Sequence, residues 1–423
     1  MKTLILGGGG REHAVAQAIL KSEKCKKVFI LPGNAGTEKI GENIAGDIND
    51  FEHIKNVVLS NEISVVFVGP EDPIVKGIYD FFKKDKALSN VIVIAPGKSA
   101  ARLEGSKDFA KKFMKKHKIP TAKYSTFSKD NIKRGHRFLE EMSPPYVLKA
   151  DGLAAGKGVL IVNDLNTAKS ELDNMLLKNK FGKASSSVVI EEFLDGIELS
   201  CFVLTNGKDH KVFPMAKDYK KIGESDTGLN TGGMGAVSPV PFVDDEFKLK
   251  IKKKVILPTI KGIQEEKMEY NGFIFIGLIK VKDEPYVIEY NVRMGDPETE
   301  VVFPRIKSDV LELFLALGTE GFALLNLEID QRFTSTVMLV SGGYPLAYQK
   351  NFPIIGLNDT NESLVFHAGT KNENNSTLTN GGRVLAITSF GETLKKATEN
   401  CYREIKKISF KEMYYRKDIG FDL

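Results

Sequence analysis

Tryptophan is absent and cysteine is scarce, with only Cys25, Cys201 and Cys401 along the chain and no close pair among them. An odd, scattered set argues against a disulfide framework and a zinc site, and fits a reducing compartment. No stretch approaches the ~18 consecutive apolar residues of a membrane-spanning helix. Met1-Lys2-Thr3-Leu4-Ile5-Leu6 superficially resembles a secretory leader, but Gly7 to Gly10 cut its apolar stretch short. A cytoplasmic protein is expected. None of the six histidines sits in a nucleophile–base arrangement, and neither His-x-Glu nor His-Glu-x-x-His occurs. Serine or cysteine hydrolase chemistry therefore has no support. An excess of one charge is missing too, since 60 basic residues face 55 acidic ones for a net +5. The runs Lys111-Lys112, Lys115-Lys116 and Lys252-Lys253-Lys254 sit at helical spacing with apolar partners. They read as solvated helix faces; a nucleic-acid surface would add interleaved aromatics.

The 423 residues suit about three domains at roughly 150 residues each. No repeat of fixed period is present. In the first hundred residues, apolar strands at Leu4–Leu6, Val28–Leu31, Val65–Val68 and Val91–Ile94 run straight into Gly/Pro turns. That alternation predicts a parallel sheet covered on both faces, with ligands at the carboxyl ends of its strands. A dinucleotide fold fails in two places. Glu12 or His13 stands where the third Gly or Ala belongs, and the second strand ends at Leu31-Pro32 with no acid for a ribose. The glycines are expected to leave bare N–H groups at a helix N-terminus, suited to a phosphate, or else to form only a tight turn.

An amphipathic helix is expected over Arg102–Lys118. Strands follow near Tyr146–Lys149, Gly158–Val162, Val188–Leu194, Leu199–Leu204 and Val212–Ala216. Tyr219–Ser238 reads as a long loop, Asp244–Met268 as a helix, and Gly272–Ile279 with Pro285–Ile288 as an apolar hairpin. Later come strands Thr336–Val340, Leu364–His367 and Arg383–Thr388, a helix near Glu392–Lys407, and a locally disordered stretch at Asn372–Ser376.

The hairpin opens into Glu289-Tyr290-Asn291-Val292-Arg293-Met294-Gly295-Asp296-Pro297-Glu298. Side chains alternate across a strand, so Glu289, Asn291 and Arg293 share a face. Two hard oxygen donors suit a Mg²⁺ ion holding a nucleotide's phosphates, and the guanidinium suits a carboxylate or phosphate. An ion pair at a sheet end is the alternative. Lys149 to Gly158 is not a Walker loop, because three residues separate Gly152 from Gly156, Lys157 precedes Gly158, and a strand follows. A glycine flap covering a triphosphate, with Lys149 and Lys157 supplying charge, and a plain hairpin turn both remain open.

Eleven segments in order carry a resemblance: GGGGREHA at Gly7–Ala14, PGNAGT at Pro32–Thr37, GPEDPIV at Gly69–Val75, LEGSKDFAK at Leu103–Lys111, KADGLAAGKGV at Lys149–Val159, IEEFLDG at Ile190–Gly196, DTGLNTGGMGA at Asp226–Ala236, NVRMGDPETE at Asn291–Glu300, GGYP at Gly342–Pro345, FHAGT at Phe366–Thr370 and GGRVL at Gly381–Leu385. Over essentially its whole length the chain resembles the ATP-grasp ligases, and within them the phosphoribosylamine–glycine ligase family. The resemblance implies an α/β and α+β multidomain protein. It would have an amino-terminal parallel-sheet α/β domain (1–101), an ATP-grasp body (102–326) with a mobile lobe at about 121–190, and a small α+β carboxyl-terminal cap (327–423). It implies ATP, glycine and 5-phosphoribosylamine as substrates, glycyl phosphate as intermediate, and Mg²⁺ or Mn²⁺. Monomer and homodimer both remain open, and no later enzyme of purine synthesis is expected to be fused here.

By the same resemblance Glu289 and Asn291 hold metal, while Lys107, Lys149, Gly156, Lys157 and Gly158 hold phosphates. Glu191, Glu192, Phe193 and Leu194 contact adenine, with Glu198 on the ribose. Arg293 with Gly295, Asp296, Pro297 and Glu298 faces glycine and the acyl phosphate; Arg293, Asp296 and Glu298 are the catalytic candidates. Gly8, Gly9, Gly10 and Glu71 take phosphoribosylamine, with Asp218, Lys220, Gly232 and Gly233. Lys217-Asp218-Tyr219-Lys220-Lys221 departs from the family's usual Gln-Asp-His-Lys-Arg. Tyr290, Val292 and Met294 also replace commoner choices, on the parity expected to pack inward. The rival readings are a carboxylating or formylating ATP-grasp enzyme, a nicotinamide-dependent oxidoreductase, and a non-catalytic nucleotide-binding regulator.

Overall fold

A computed structural model describes residues 1–153 and 158–423, the side chain of Lys183 apart; Gly156 and Lys157 of the glycine flap thus lie outside the described residues. The amino-terminal sheet is parallel, in the order Glu42–Asn43, Lys27–Pro32, Lys2–Gly7, Val65–Val68, Ile92–Ile94. Leu4, Ile5 and Leu6 are all fully buried, as a strand covered on both faces requires. Strand order reverses at Lys2–Gly7, so a crevice opens where that strand and Val65–Val68 end. The Gly7–Gly10 turn and Glu71 stand there.

The single helix expected over Arg102–Lys118 is two, Lys98–Gly105 and Lys107–Lys116. Ser106 breaks it because its hydroxyl accepts from the Phe109 N–H at 3.1 Å and caps the second helix. Asp151 reinforces this cap from the neighbouring lobe, accepting from the Asp108 N–H at 2.8 Å and the Ser106 hydroxyl at 3.0 Å. Ser106→Ala should cost about 1 kcal/mol of stability, read from the urea midpoint. A shift of only a few tenths would show that Asp151 alone suffices.

The lobe that follows is an antiparallel sheet ordered Tyr124–Ser128, Ser187–Glu192, Tyr146–Ala150, Val159–Val162. The helices Ile132–Glu140 and Leu165–Leu176 close its core around Leu148, Leu172 and Ile190. A second antiparallel sheet runs His210–Val212, Ile197–Thr205, Gly272–Val281, Glu284–Asn291. The helix expected from Asp244 to Met268 spans Asp245–Glu265 and widens into a π turn at Lys252–Ile256. Pro258 has no N–H to give the Lys254 carbonyl, and the wider turn precedes it.

Two other expectations are corrected. Tyr219–Ser238 is not one loop: Lys221–Gly223 pairs with Thr227–Asn230, and Gly235–Ser238 is a buried strand. That strand and Lys217–Asp218 join Phe333–Val340, Arg383–Gly391 and Leu364–His367 in one sheet, which crosses the 326/327 division. Asn372–Ser376 is ordered as the tip of a hairpin between Thr370–Glu373 and Ser376–Thr379. Asn374 and Asn375 take φ of 48° and 60°, the left-handed pair such a tight turn demands and asparagine tolerates. No helix of the described residues is long and apolar enough to cross a membrane.

Candidate active site

The strand Glu284–Asn291 contains a bulge that its sequence does not announce. Gly277 pairs with Glu289 but Leu278 pairs with Val287, so Ile288 has no partner. A bulge shifts the alternation of faces by one residue. Before it the odd position Val287 is buried, and after it the even positions Tyr290, Val292 and Met294 are. This shift leaves Glu289, Asn291 and Arg293 on the more open face. Gly277 keeps the cross-strand position bare, since a Cβ there would lie 3.2 Å from Glu289 Cγ.

Arg293 is gripped by two carboxylates. Its Nε lies 3.2 Å from Glu71 at the carboxyl edge of the first sheet, and its Nη2 3.0 Å from Glu104. Glu104, which sequence reasoning missed, uses its second oxygen to accept the Val292 N–H at 2.7 Å. Burial pushes the Glu104 carboxyl up despite Arg293. Glu71 goes the other way: burial opposes its charge, but Arg293 and Arg11 hold it below the usual range.

The turn Gly295–Glu298 is where the domains meet. A Cβ on Gly9 would come within 3.0 Å of Asp296 Oδ2, and one on Gly233 (φ 121°) would overlap Pro297. Arg11 donates to the Met294 carbonyl at 3.1 Å and pairs with Glu12 at 2.6 Å. The Gly9 N–H is not bare, as the sequence suggested; Glu12 caps it at 2.6 Å. The helix's own acid occupies the place of the third fingerprint glycine and closes the dinucleotide turn. From the far sheet, Arg383 pairs with Asp296 Oδ1 at 2.9 Å and donates to the carbonyls of Gly232 and Asp296, each at 2.8 Å. The Tyr344 hydroxyl accepts the Gly232 N–H at 3.0 Å. Arg383 and Tyr344 belong to segments that carried the resemblance but had no role assigned.

At the end of this turn Glu298 is buried and accepts from the Ser200 hydroxyl at 3.0 Å. Burial, then the Asp218 charge, pushes its carboxyl up to about 7. Burial raises Asp218 as well, against Lys220. Lys220 lies 2.6 Å from Glu198 and 3.9 Å from Asp218, and these acids keep it charged against partial desolvation. Lys217 and Tyr219, two of the departures from the family pattern, face the other way onto Asp422 at 3.1 and 2.9 Å. Glu300 is fully buried against Gly10, and its carboxyl oxygens find no hydrogen-bond partner among the described residues.

On the lobe side, Lys149 and Lys111 both reach Glu191 Oε2, at 3.0 and 2.9 Å. Lys107 donates to the Gly152 carbonyl at 3.3 Å; burial lowers it, opposed by Glu289. The Gly158 carbonyl accepts from Ala150 N at 2.8 Å. The lobe strand ends at Glu192, not Leu194; Glu192 accepts the Lys123 N–H at 2.8 Å, and Phe193 beyond it is exposed. No group of three or more His, Cys, Asp or Glu gathers around a metal position among the described residues. One carboxylate and one amide oxygen on the same strand face still fit Mg²⁺, which typically completes its shell with water and phosphate oxygens.

Residues 1–104, 105–299 and 334–422 match the N, ATP-grasp (A) and C domains of phosphoribosylglycinamide synthetase. A phosphoribosylamine–glycine ligase of Caldanaerobacter subterraneus subsp. tengcongensis is 41% identical over 420 residues, 99% of each chain. Its counterpart from Fusobacterium nucleatum subsp. nucleatum is 42% identical over 426 residues, 99% of this chain and 98% of that one. The solved phosphoribosylamine–glycine ligase of Thermotoga maritima superposes with a TM-score of 0.86 at 35% identity, covering 99% of this chain and 100% of that one.

Proposed function

The chain belongs to the phosphoribosylglycinamide synthetase family, the phosphoribosylamine–glycine ligases, and on that premise we propose how its residues divide the reaction. It is a ligase that joins glycine to 5-phosphoribosylamine with ATP, forming a carbon–nitrogen bond in purine biosynthesis. ATP-grasp enzymes use ATP with divalent metal ions. Here Glu289 and Asn291 would hold Mg²⁺ or Mn²⁺, which neutralises charge on the transferring phosphate. Lys107 and Lys149 supply further positive charge, with the Gly156–Gly158 flap over the phosphates. The end of the lobe strand at Glu191 and Glu192, with Phe193 and Leu194 just beyond it, offers its edge to adenine, and Glu198 the ribose contact.

Arg293, kept in place by Glu71 and Glu104, orients the glycine carboxylate with the Gly295–Glu298 turn. A carboxylate oxygen attacks the γ-phosphorus, ADP leaves, and glycyl phosphate forms. Such transfer needs positioning and charge neutralisation and no covalent enzyme intermediate. The amine of phosphoribosylamine, held by Gly8–Gly10, Glu71, Asp218, Lys220 and the Gly232-Gly233 loop, then attacks the acyl carbon. Phosphate departs, and the nitrogen gives up a proton to the Glu298–Asp218 pair. One observation carries this reading: Gly9, Gly233 and Arg383, from three parts of the chain, close on Asp296-Pro297.

The test is ADP release with Mg-ATP, glycine and freshly made phosphoribosylamine. ADP release should depend on glycine, and bicarbonate or formate should not replace it. An unchanged signal without glycine rules the ligase chemistry out. A pH profile tests the base. Turnover should rise as pH passes about 7, where the Glu298–Asp218 pair loses its last proton. Glu298→Gln should remove that limb; a variant profile superimposable on wild type would reject the role.

A further inference from the structure

We propose that Lys111 is a positioning residue that keeps Glu191 paired so that the Lys149 ammonium can leave it for a nucleotide's phosphates. The inference rests on the ATP-site reading above and adds a residue to it. Lys149 and Glu191 lie on adjacent lobe strands, where Lys149 pairs with Val189 and Val147 with Glu191. That register sets the two side chains diagonally on one face. Lys111 approaches the same carboxylate oxygen from the helix Lys107–Lys116, one turn after Lys107. All three groups are buried, with exposures of 1% for Lys111, 6% for Lys149 and 3% for Glu191. Two cations thus share one anion out of water. A buried charge without a partner is costly, so the extra positive charge favours an arriving anion.

The two lysines are not equivalent. Lys111 is held at a second point, donating to the Thr121 hydroxyl at 2.7 Å. That hydroxyl in turn donates to the Val287 carbonyl at 2.7 Å, on the strand that carries Glu289 and Asn291. Among the described residues, Lys149 has Glu191 as its hydrogen-bond acceptor and no other. A lysine ammonium on its four-carbon stem swings readily to a new acceptor. Lys149 is therefore the one to move and Lys111 the one to stay. Without Lys111, any move by Lys149 would strand Glu191 as a lone buried carboxylate, and Lys149 would remain trapped.

The experiment measures affinity for adenosine and for a non-hydrolysable ATP analogue by calorimetry. Lys111→Met should weaken the analogue roughly 10- to 100-fold and leave adenosine within about threefold. Adding Glu191→Gln removes the trap and should restore the ratio of analogue to adenosine affinity to near its wild-type value. A purely structural Lys111 would predict no such rescue. Unchanged analogue binding in Lys111→Met, equal loss of both ligands, or no recovery in the double variant overturns the proposal. If Lys111→Met does not fold, Glu191→Gln alone decides. The ratio should then hold or rise in favour of the analogue, and a fall overturns the proposal. Lys149→Met separates the two levels. If it leaves the analogue's affinity intact, the ATP-site reading itself fails. If it weakens the analogue while Lys111→Met does not, only the present inference fails.

Discussion

Glu289→Gln is expected to cut turnover at least about a hundredfold while leaving the protein folded, because it removes charge and keeps shape. Glu289 is half-buried on the open side of its strand and, among the described residues, makes no ion pair that would be lost from the fold. Its carboxylate is the only charged member of the two-residue metal set proposed here, and an amide oxygen in its place binds a hard dication far less well. ADP release at saturating substrates reads the loss, and the urea midpoint reads the fold. Wild-type turnover in this variant would end the metal assignment. A large fall in the urea midpoint would instead make Glu289 a structural residue.

Arg293→Met should have the second largest effect, and on two quantities at once. Glu104 is buried and would keep only the Val292 N–H as compensation, so stability should fall by about 3 kcal/mol. Activity should fall at least about a hundredfold, since the guanidinium proposed to orient glycine is gone. Adding Glu104→Gln removes the stranded charge and should return most of the stability but none of the activity. Recovery of turnover in that double variant would show that Arg293 serves only to neutralise Glu104.

The fates of particular residues show how far the sequence could be read. Val65–Val68 and Leu364–His367 are strands as expected, because unbroken apolar runs between turn residues admit few other folds. The strands between Tyr219 and Ser238 are not legible in the sequence, because strands of three or four residues are too short for their period to show. The grouping of Glu289, Asn291 and Arg293 follows from alternation. Which face they share depends on the bulge at Ile288, which is a property of pairing with Leu278 and Gly277. The Gly7–Gly10 turn was legible as a turn, but that Glu12 occupies the Gly9 N–H was not. The motif contains both residues and says nothing of which bonds to which.

The sequence by itself determined the order of the strands' apolar runs, which follow from local residue types and their spacing, and its ordered segments carried the resemblance that implied the family and the reaction class. Only the tertiary structure decided which charges meet. Glu104 reaches Arg293 across 189 positions of chain, Arg383 reaches Asp296 across 87, and Lys111 reaches Glu191 across 80. Each pairing depends on two elements packing side by side, and a charged residue carries no local mark of its distant partner. The run from Glu289 to Arg293, proposed to hold the metal, is therefore readable in one dimension, while the carboxylates and guanidinium that hold it in place exist only in three.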